Sequence, residues 1–129
     1  VNPLPPYARF LGISTRRSDA GELLFAMPFA DVVLGRPGYV HGGAIAGLLE
    51  FAAFGALYEA LGTSEGVTVK PINVTVQFMR GAARHDTIAA ATITRLGNRI
   101  ANVEACAWQL DRARPVATAQ MNVLLRRGR

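Results

Sequence analysis

Apolar and polar positions divide the chain into three zones. In the first, ISTRRSDAGELLFAMPF (residues 13–29), two short apolar runs flank Asp19-Ala20-Gly21. This predicts two strands joined by a turn, the second ending near Pro28. From Gly42 to about Leu61 the sequence is almost continuously apolar and rich in alanine and leucine. That composition favours helix over strand, and at about 1.5 Å per residue the helix runs about 30 Å. After Gly62 the period falls to two. In VTVKPINVTVQFM (67–79), Ile72, Val74, Val76 and Phe78 share one face, and Asn73, Thr75 and Gln77 share the other. Three more strand-like segments follow: DTIAAATITRLG, RIANVEACAWQL and PVATAQMNVLLRR. Turns at Gly97-Asn98 and Asp111 to Arg114 separate them.

The connecting stretches fit between these zones. NPLPP (2–6) reads as a stiff extended lead-in, YARFLG as a helical turn ended by Gly12, and ADVVLGRPGY as a loop. Four strands in succession, joined by short links, predict an antiparallel meander. The expected architecture is α+β: one long central helix wrapped by a single antiparallel sheet of about six strands.

Composition narrows the class. At 129 residues, a single domain over 1–129 is expected. Half the residues are hydrophobic, which argues against disorder. The chain starts at Val1 with no charged-then-apolar leader, so no signal peptide is predicted. One cysteine, Cys106, fits a reducing, cytoplasmic setting. Two histidines and one cysteine, far apart, make no metal-ligand spacing, and neither metal nor cofactor is expected. The long apolar run approaches the length of a membrane span, but Glu50, Glu59 and four glycines interrupt it, so no membrane partner is expected. A helix apolar nearly all round is normally the core of a soluble domain.

Charge adds a ligand class. The formal net charge is +5, with thirteen arginines and one lysine, Lys70. General solubility explains part of this. The arginines are dispersed, and no zinc-finger, basic-zipper or RNA-recognition signature is present, which argues against nucleic acid. A small phosphorylated ligand suits a scattered basic surface better.

The candidate chemistry lies in VHGGAIAGLLE (40–50). Glycine costs a helix roughly 0.5–1 kcal/mol relative to alanine. Gly42 and Gly43 at a helix start are therefore either a tight turn closing the preceding loop or a place where a carbonyl approaches free N–H groups. On the second reading the helix head stabilises an oxyanion. Glu50 has Gly47, Ala46, Ala53 and Phe54 as helical neighbours, none able to pair with a carboxylate. It either meets a cation from elsewhere or lines a pocket, where burial raises its pKa as a general base or nucleophile requires. Glu59, near the helix end, reads as a solvated charge. His41 caps the helix or holds the loop; a histidine beside a positive helix end is a poorer base. Gly43 and Glu50 stand about 10 Å apart on one helix. A donor and an attacking carboxylate must both lie near 3 Å from one carbonyl. Two chains with antiparallel helices across a two-fold axis satisfy this, so an obligate dimer with shared sites is expected.

HGGAIAGLLE resembles the His-Gly-Gly … acid signature of hotdog-fold acyl-CoA thioesterases of the phenylacetate-degradation (PaaI-like) type. Over most of the chain, VTVKPINVTVQFMRGAARHDTIAAATITRLGNRIANVEACAWQ is similar to that family's sheet half. The resemblance implies a hotdog fold, dimers or tetramers, and metal-free hydrolysis of acyl-CoA. It implies that the Gly43 N–H polarises the thioester carbonyl, Gly42 permits close approach, Glu50 attacks or activates water, and His41 shapes the loop. Arg95 and Arg99, flanking the Leu-Gly-Asn turn, become contacts for the CoA phosphates. The chain departs from relatives that carry aspartate in place of Glu50, and a threonine or serine where Phe51 follows the acid. Pro71 stands near a position where some relatives use a hydroxyl, with Thr68 as a substitute. Phe54, Leu57, Tyr58 and Val76 suggest a medium-chain or aromatic acyl group. The alternatives are a non-catalytic acyl-CoA-binding hotdog protein, acting as sensor or scaffold, and a hotdog hydratase or dehydratase. Burial of Glu50 beside a thioester argues for catalysis over binding alone.

Overall fold

Small side chains set how closely helix and sheet approach. In the computed structural model, which describes residues 4–62 and 66–128, the long apolar run forms helix α2, Gly42–Leu61. A short helix α1, Pro6–Phe10, precedes it. Positions 2 and 3 of the expected lead-in, and Thr63 beyond the helix, lie outside the described residues. The strands are β1 Ser14–Arg17, β2 Leu23–Met27, β3 Thr68–Phe78, β4 Thr87–Leu96, β5 Ile100–Trp108 and β6 Ala117–Arg126. All pair antiparallel in one sheet of order β1-β2-β4-β5-β6-β3. One long helix held by a single six-stranded antiparallel sheet is the expected architecture.

The sheet's inner face is built from Ala89 on β4, Ala101, Val103, Ala105 and Ala107 on β5, and Ala117, Ala119, Met121, Val123 and Leu125 on β6, all buried. Against them lie Leu48, Leu49, Ala52, Ala53 and Leu57 of α2. Alanine on both sides lets the helix backbone seat close to the sheet, while leucines fill the gaps at crystal-like density. By length and composition α2 could cross a membrane; in this fold Ala44, Ile45, Leu48, Leu49, Ala52, Ala53 and Leu57 are buried against the sheet and its neighbours.

The predicted meander forms only in part. β4, β5 and β6 follow it, but β3 pairs with β6 at the far edge, and β2 pairs with β4. Lys70 and Pro71 account for the edge position. Proline cannot donate to a second ladder, and lysine keeps an open edge solvated. A bulge between Pro71 and Asn73 turns Ile72 outward, leaving it 54% exposed. The inner face of β3 is thus Val69, Val74 and Val76, not a run starting at Ile72. On the outer face, Asn102 donates to Asn122 at 2.6 Å and Asn122 donates to Asn73 at 2.9 Å, pinning three strands in register.

Gly55 is where helix and sheet come closest on the β2 side. A Cβ there would stand 2.6 Å from Phe25 Cε1. Phe25 is itself buried. Gly55→Ala therefore forces the ring out of its seat, and a loss of about 1–3 kcal/mol in unfolding free energy is expected. Urea denaturation monitored by circular dichroism measures it.

Candidate active site

The head of α2 is built by its own flanking loop. His41 is the N-cap, in extended backbone conformation, and its Nδ1 accepts a hydrogen bond from the Gly43 N–H at 2.7 Å. Nδ1 is therefore unprotonated, which leaves the ring proton on Nε2. The His41 carbonyl accepts from Ala44 at 3.0 Å and from Ile45 at 3.2 Å. Three first-turn donors are thus engaged, and the Gly42 N–H has no acceptor among the described residues. This corrects the expectation that Gly43 offers the open donor: the histidine side chain has already capped it, and the neighbouring glycine carries the free N–H. His41 takes the expected structural role. The ring of Phe78, at the end of β3, lies 3.3 Å from the place a Cβ on Gly42 would occupy. Any larger residue at 42 would have to displace that ring.

The loop is anchored from outside. The His41 N–H donates to the Val33 carbonyl at 2.7 Å, and the Val40 N–H donates to the Ala82 carbonyl at 2.9 Å. Arg36 stacks on the Tyr39 ring at 4.1 Å from its centroid. Arg84 lies over Gly38, with Nε 3.4 Å from where a Cβ would be. Arginines therefore gather beside the helix head.

Glu50 is half-buried two turns along α2. Among the described residues no donor or cation pairs with it. Desolvation by its apolar surroundings raises its carboxyl pKa. The two carboxylates of α2 differ as their neighbours do. Glu59 is not merely solvated as expected, because Arg17 of β1 reaches across to pair with it.

Between α2 and the first two strands runs an apolar groove of about 690 Å³. Leu23, Phe25, Phe51, Phe54, Gly55 and Tyr58 line it, and the Arg17–Glu59 pair stands at one end. Phe54 stacks on Tyr58 with ring centroids 6.4 Å apart. The structure thus brings Phe54 to the groove as expected. It adds Phe51, and Leu23 and Phe25 of β2, which sequence reasoning missed; Leu57 and Val76, also suggested for the acyl pocket, pack into the core instead. A separate depression of about 310 Å³ around Glu104, Cys106 and Arg112 lies on the outer sheet face, away from α2.

Three expected contacts lie elsewhere. β3 runs from Thr68 to Phe78, which touches Gly42, so Thr68 stands about 33 Å from the helix head at 3.3 Å per residue. Arg95 and Arg99 flank the β4–β5 turn, about 26 Å along β4 from Thr87 at the helix-head end. In one protomer none of the three shares a site with Gly42. The sequence places them after the right motifs, but strand length carries them to the opposite end of the sheet. Among the described residues, no three His, Cys, Asp or Glu side chains converge as a metal site.

The sequence profile of the thioesterase superfamily matches residues 37–116, the stretch that holds the helix head, Glu50 and strands β3 to β5. The chain belongs to the thioesterase superfamily. A protein of Halobacterium salinarum that bears an esterase name is 32% identical over 98 residues. That match takes in 74% of this chain and 64% of the relative's length, so the chain spans less than two thirds of it. A phenylacetic acid degradation-related protein of Ralstonia eutropha, given a thioesterase name, is 26% identical, with a TM-score of 0.79 over 95% of this chain and 92% of that one. A Bacillus halodurans protein solved with CoA is 20% identical and shares the fold, with a TM-score of 0.83 over 98% and 82% of the two chains. The superfamily's hotdog fold is the one described above: a central helix gripped by one antiparallel sheet.

The desolvated carboxyl has a consequence for stability. The folded pKa of Glu50 lies above the unfolded value of 4.5. The folded chain therefore holds the proton more tightly, and stability present below pH 4.5 declines as pH rises through the folded pKa. Glu50→Gln carries no such charge. Its melting temperature is expected to match wild type in acid and to exceed it at neutral pH by about 1–3 °C, a small margin because the carboxyl is partly solvated. Thermal melts across pH 4 to 8, about four units, read it.

Proposed function

We propose that this protein hydrolyses the thioester bond of an acyl-CoA, with the carbonyl oxygen held by the Gly42 N–H and Glu50 supplying the attack. The observation that carries the reading is one helix bearing both an unengaged N–H at its head and an unpaired, desolvated carboxylate two turns on. The N–H and the helix dipole favour charge developing on the oxygen. The carboxylate either adds to the carbonyl carbon or takes a proton from the water that does so. The carbon–sulfur bond then breaks and the electron pair leaves on sulfur as the CoA thiolate; on the general-base route the acyl group leaves directly as a carboxylate, and on the nucleophilic route water cleaves the mixed anhydride with Glu50, giving the acyl carboxylate and the free Glu50 carboxylate. The relative solved with CoA supports CoA as the carrier.

Gly42 and Glu50 are about 12 Å apart along the helix axis, too far to serve one carbonyl. The reading therefore includes a homodimer in which Gly42 of one protomer faces Glu50 of its partner. The exposed apolar side chains Ile72, Phe78 and Met79, at and beside the β3 edge, support the pairing, since a second copy would bury them. Arg36 and Arg84, beside the helix head, take the role of phosphate contacts first assigned to Arg95 and Arg99. The aromatic groove starting at Phe51 supports a medium-chain or aromatic acyl group.

A panel of acyl-CoAs with a thiol reagent reports free CoA. Glu50→Ala is expected to lower kcat about 10²–10⁴-fold. In wild type, kcat/KM is expected to rise with pH along a limb lying above the ordinary glutamate value of 4.5. Tight binding without CoA release would overturn turnover and leave an acyl-CoA-binding protein. Mixing and refolding Glu50→Ala with Gly42→Val chains tests sharing between protomers. Mixed dimers keep one intact site, so about a quarter of wild-type activity is expected to return. No recovery would place the whole site in one chain.

Arg84→Glu is expected to raise KM for acyl-CoA about tenfold and leave KM for the matching acyl-pantetheine, which lacks the nucleotide phosphates, unchanged. Equal effects on both substrates would remove Arg84 from phosphate binding.

A further inference from the structure

We infer that Gln109 is a positioning residue for the helix head, holding the Gly42 N–H in place through the loop between β3 and β4. The inference rests on the thioesterase reading for its effect on rate, but its structural content stands on hydrogen bonds alone. Gln109 follows the last residue of β5 and is half-buried. Its Oε1 accepts from the Ala83 N–H at 3.0 Å. Its Nε2 donates to the Ala83 carbonyl at 3.0 Å and to the His85 carbonyl at 3.1 Å, with Thr87 Oγ1 a further 3.3 Å neighbour. Thr87 is fully buried.

The loop over 79–86 needs such a partner. It carries the chain across the end of the sheet, from the edge beside β6 to the slot between β2 and β5, where no strand ladder serves its backbone. A carboxamide offers both an acceptor and two donors, so it satisfies the N–H and the C=O of one residue, Ala83, as a neighbouring strand would. No apolar residue can do either, and a carboxylate can only accept.

The loop so held touches the helix-head segment at three points. The Ala82 carbonyl, on a buried residue, accepts from the Val40 N–H at 2.9 Å, one residue before the cap. The Tyr39 ring covers Gly81, with Cε1 3.0 Å from where a Cβ would be. Arg84 covers Gly38 in the same way. Gln109 thus fixes Ala83, the loop fixes Val40, and Val40 fixes His41 and the N–H beyond it. A carbonyl-binding N–H misplaced by about 1 Å loses most of its effect, which is how a brace outside the site acts on rate.

Gln109→Met keeps the side-chain length and removes the hydrogen bonds; Gln109→Glu keeps one. Hydrogen–deuterium exchange of the dimeric protein is read for residues 33–43 and 79–86 against peptides from β5 and β6. Acyl-CoA turnover is measured on the same samples. Gln109→Met is expected to speed exchange in both loops without speeding it in β5 and β6. It is also expected to lower kcat about tenfold with KM within about twofold of wild type. Gln109→Glu is expected to speed exchange in both loops too. Unchanged exchange over 33–43 in Gln109→Met overturns the brace. Exchange rising equally everywhere marks general destabilisation and overturns it as well. Faster loop exchange with unchanged kcat overturns the link to the helix head. Wild type without turnover of any acyl-CoA defeats the thioesterase reading instead, and exchange alone then decides the brace.

Discussion

The structure depends on burying an alanine- and leucine-rich helix against a sheet whose central strands face it largely with alanine. Leu48, Leu49, Ala52, Ala53 and Leu57 meet Ala89, Ala101, Ala105, Ala107, Ala117 and Ala119 at close range. Burial of apolar surface at about 25 cal/mol per Å² is the driving force. Small side chains on both partners determine how deep the helix sits. That depth fixes the rest. Because α2 is seated by this face, Glu50 comes to the rim of the contact, half-buried, and Phe51, Phe54 and Tyr58 are left to form one wall of an open groove.

The two chemical features of α2 follow from ordinary helix physics and from what the fold leaves undone. A helix start has four N–H groups without intrahelical acceptors. Here the His41 N–H goes to the Val33 carbonyl, the His41 side chain takes Gly43 and its carbonyl takes Ala44, and the Gly42 N–H keeps no acceptor among the described residues. Two turns later a carboxylate is desolvated without being paired. Its contrast with Glu59 is instructive. Both are on one helix, but β1 brings Arg17 to Glu59, and no described strand brings a cation to Glu50. Among the described residues, one protomer thus holds an unengaged N–H and an unpaired carboxyl about 12 Å apart on one helix.

The loops beside the helix head show how such a site is held still. They contain glycines where aromatic and guanidinium groups must approach, and their backbone groups are satisfied by carbonyls of the neighbouring loop and by one glutamine. The arginines Arg36 and Arg84 belong to the same packing, so the local positive charge is part of the loop architecture.

The sequence by itself determined the main elements and the lack of a helical-neighbour partner for Glu50, because both are local. Period two and period 3.6 read directly as strand and helix, and no residue within a helical turn of Glu50 can pair with it. The His41-Gly42-Gly43 head was equally legible, since a cap followed by glycines has few uses. Only the tertiary structure decided the strand order, because pairing β3 with β6 and β2 with β4 joins residues far apart in sequence; Lys70-Pro71 was the one local sign of an edge. It also decided which glycine keeps a free N–H, since that turns on where the imidazole rotates. And it placed Thr68, Arg95 and Arg99 at the end of the sheet far from their own protomer's helix head, because motif spacing says nothing about which end of a long strand faces that head.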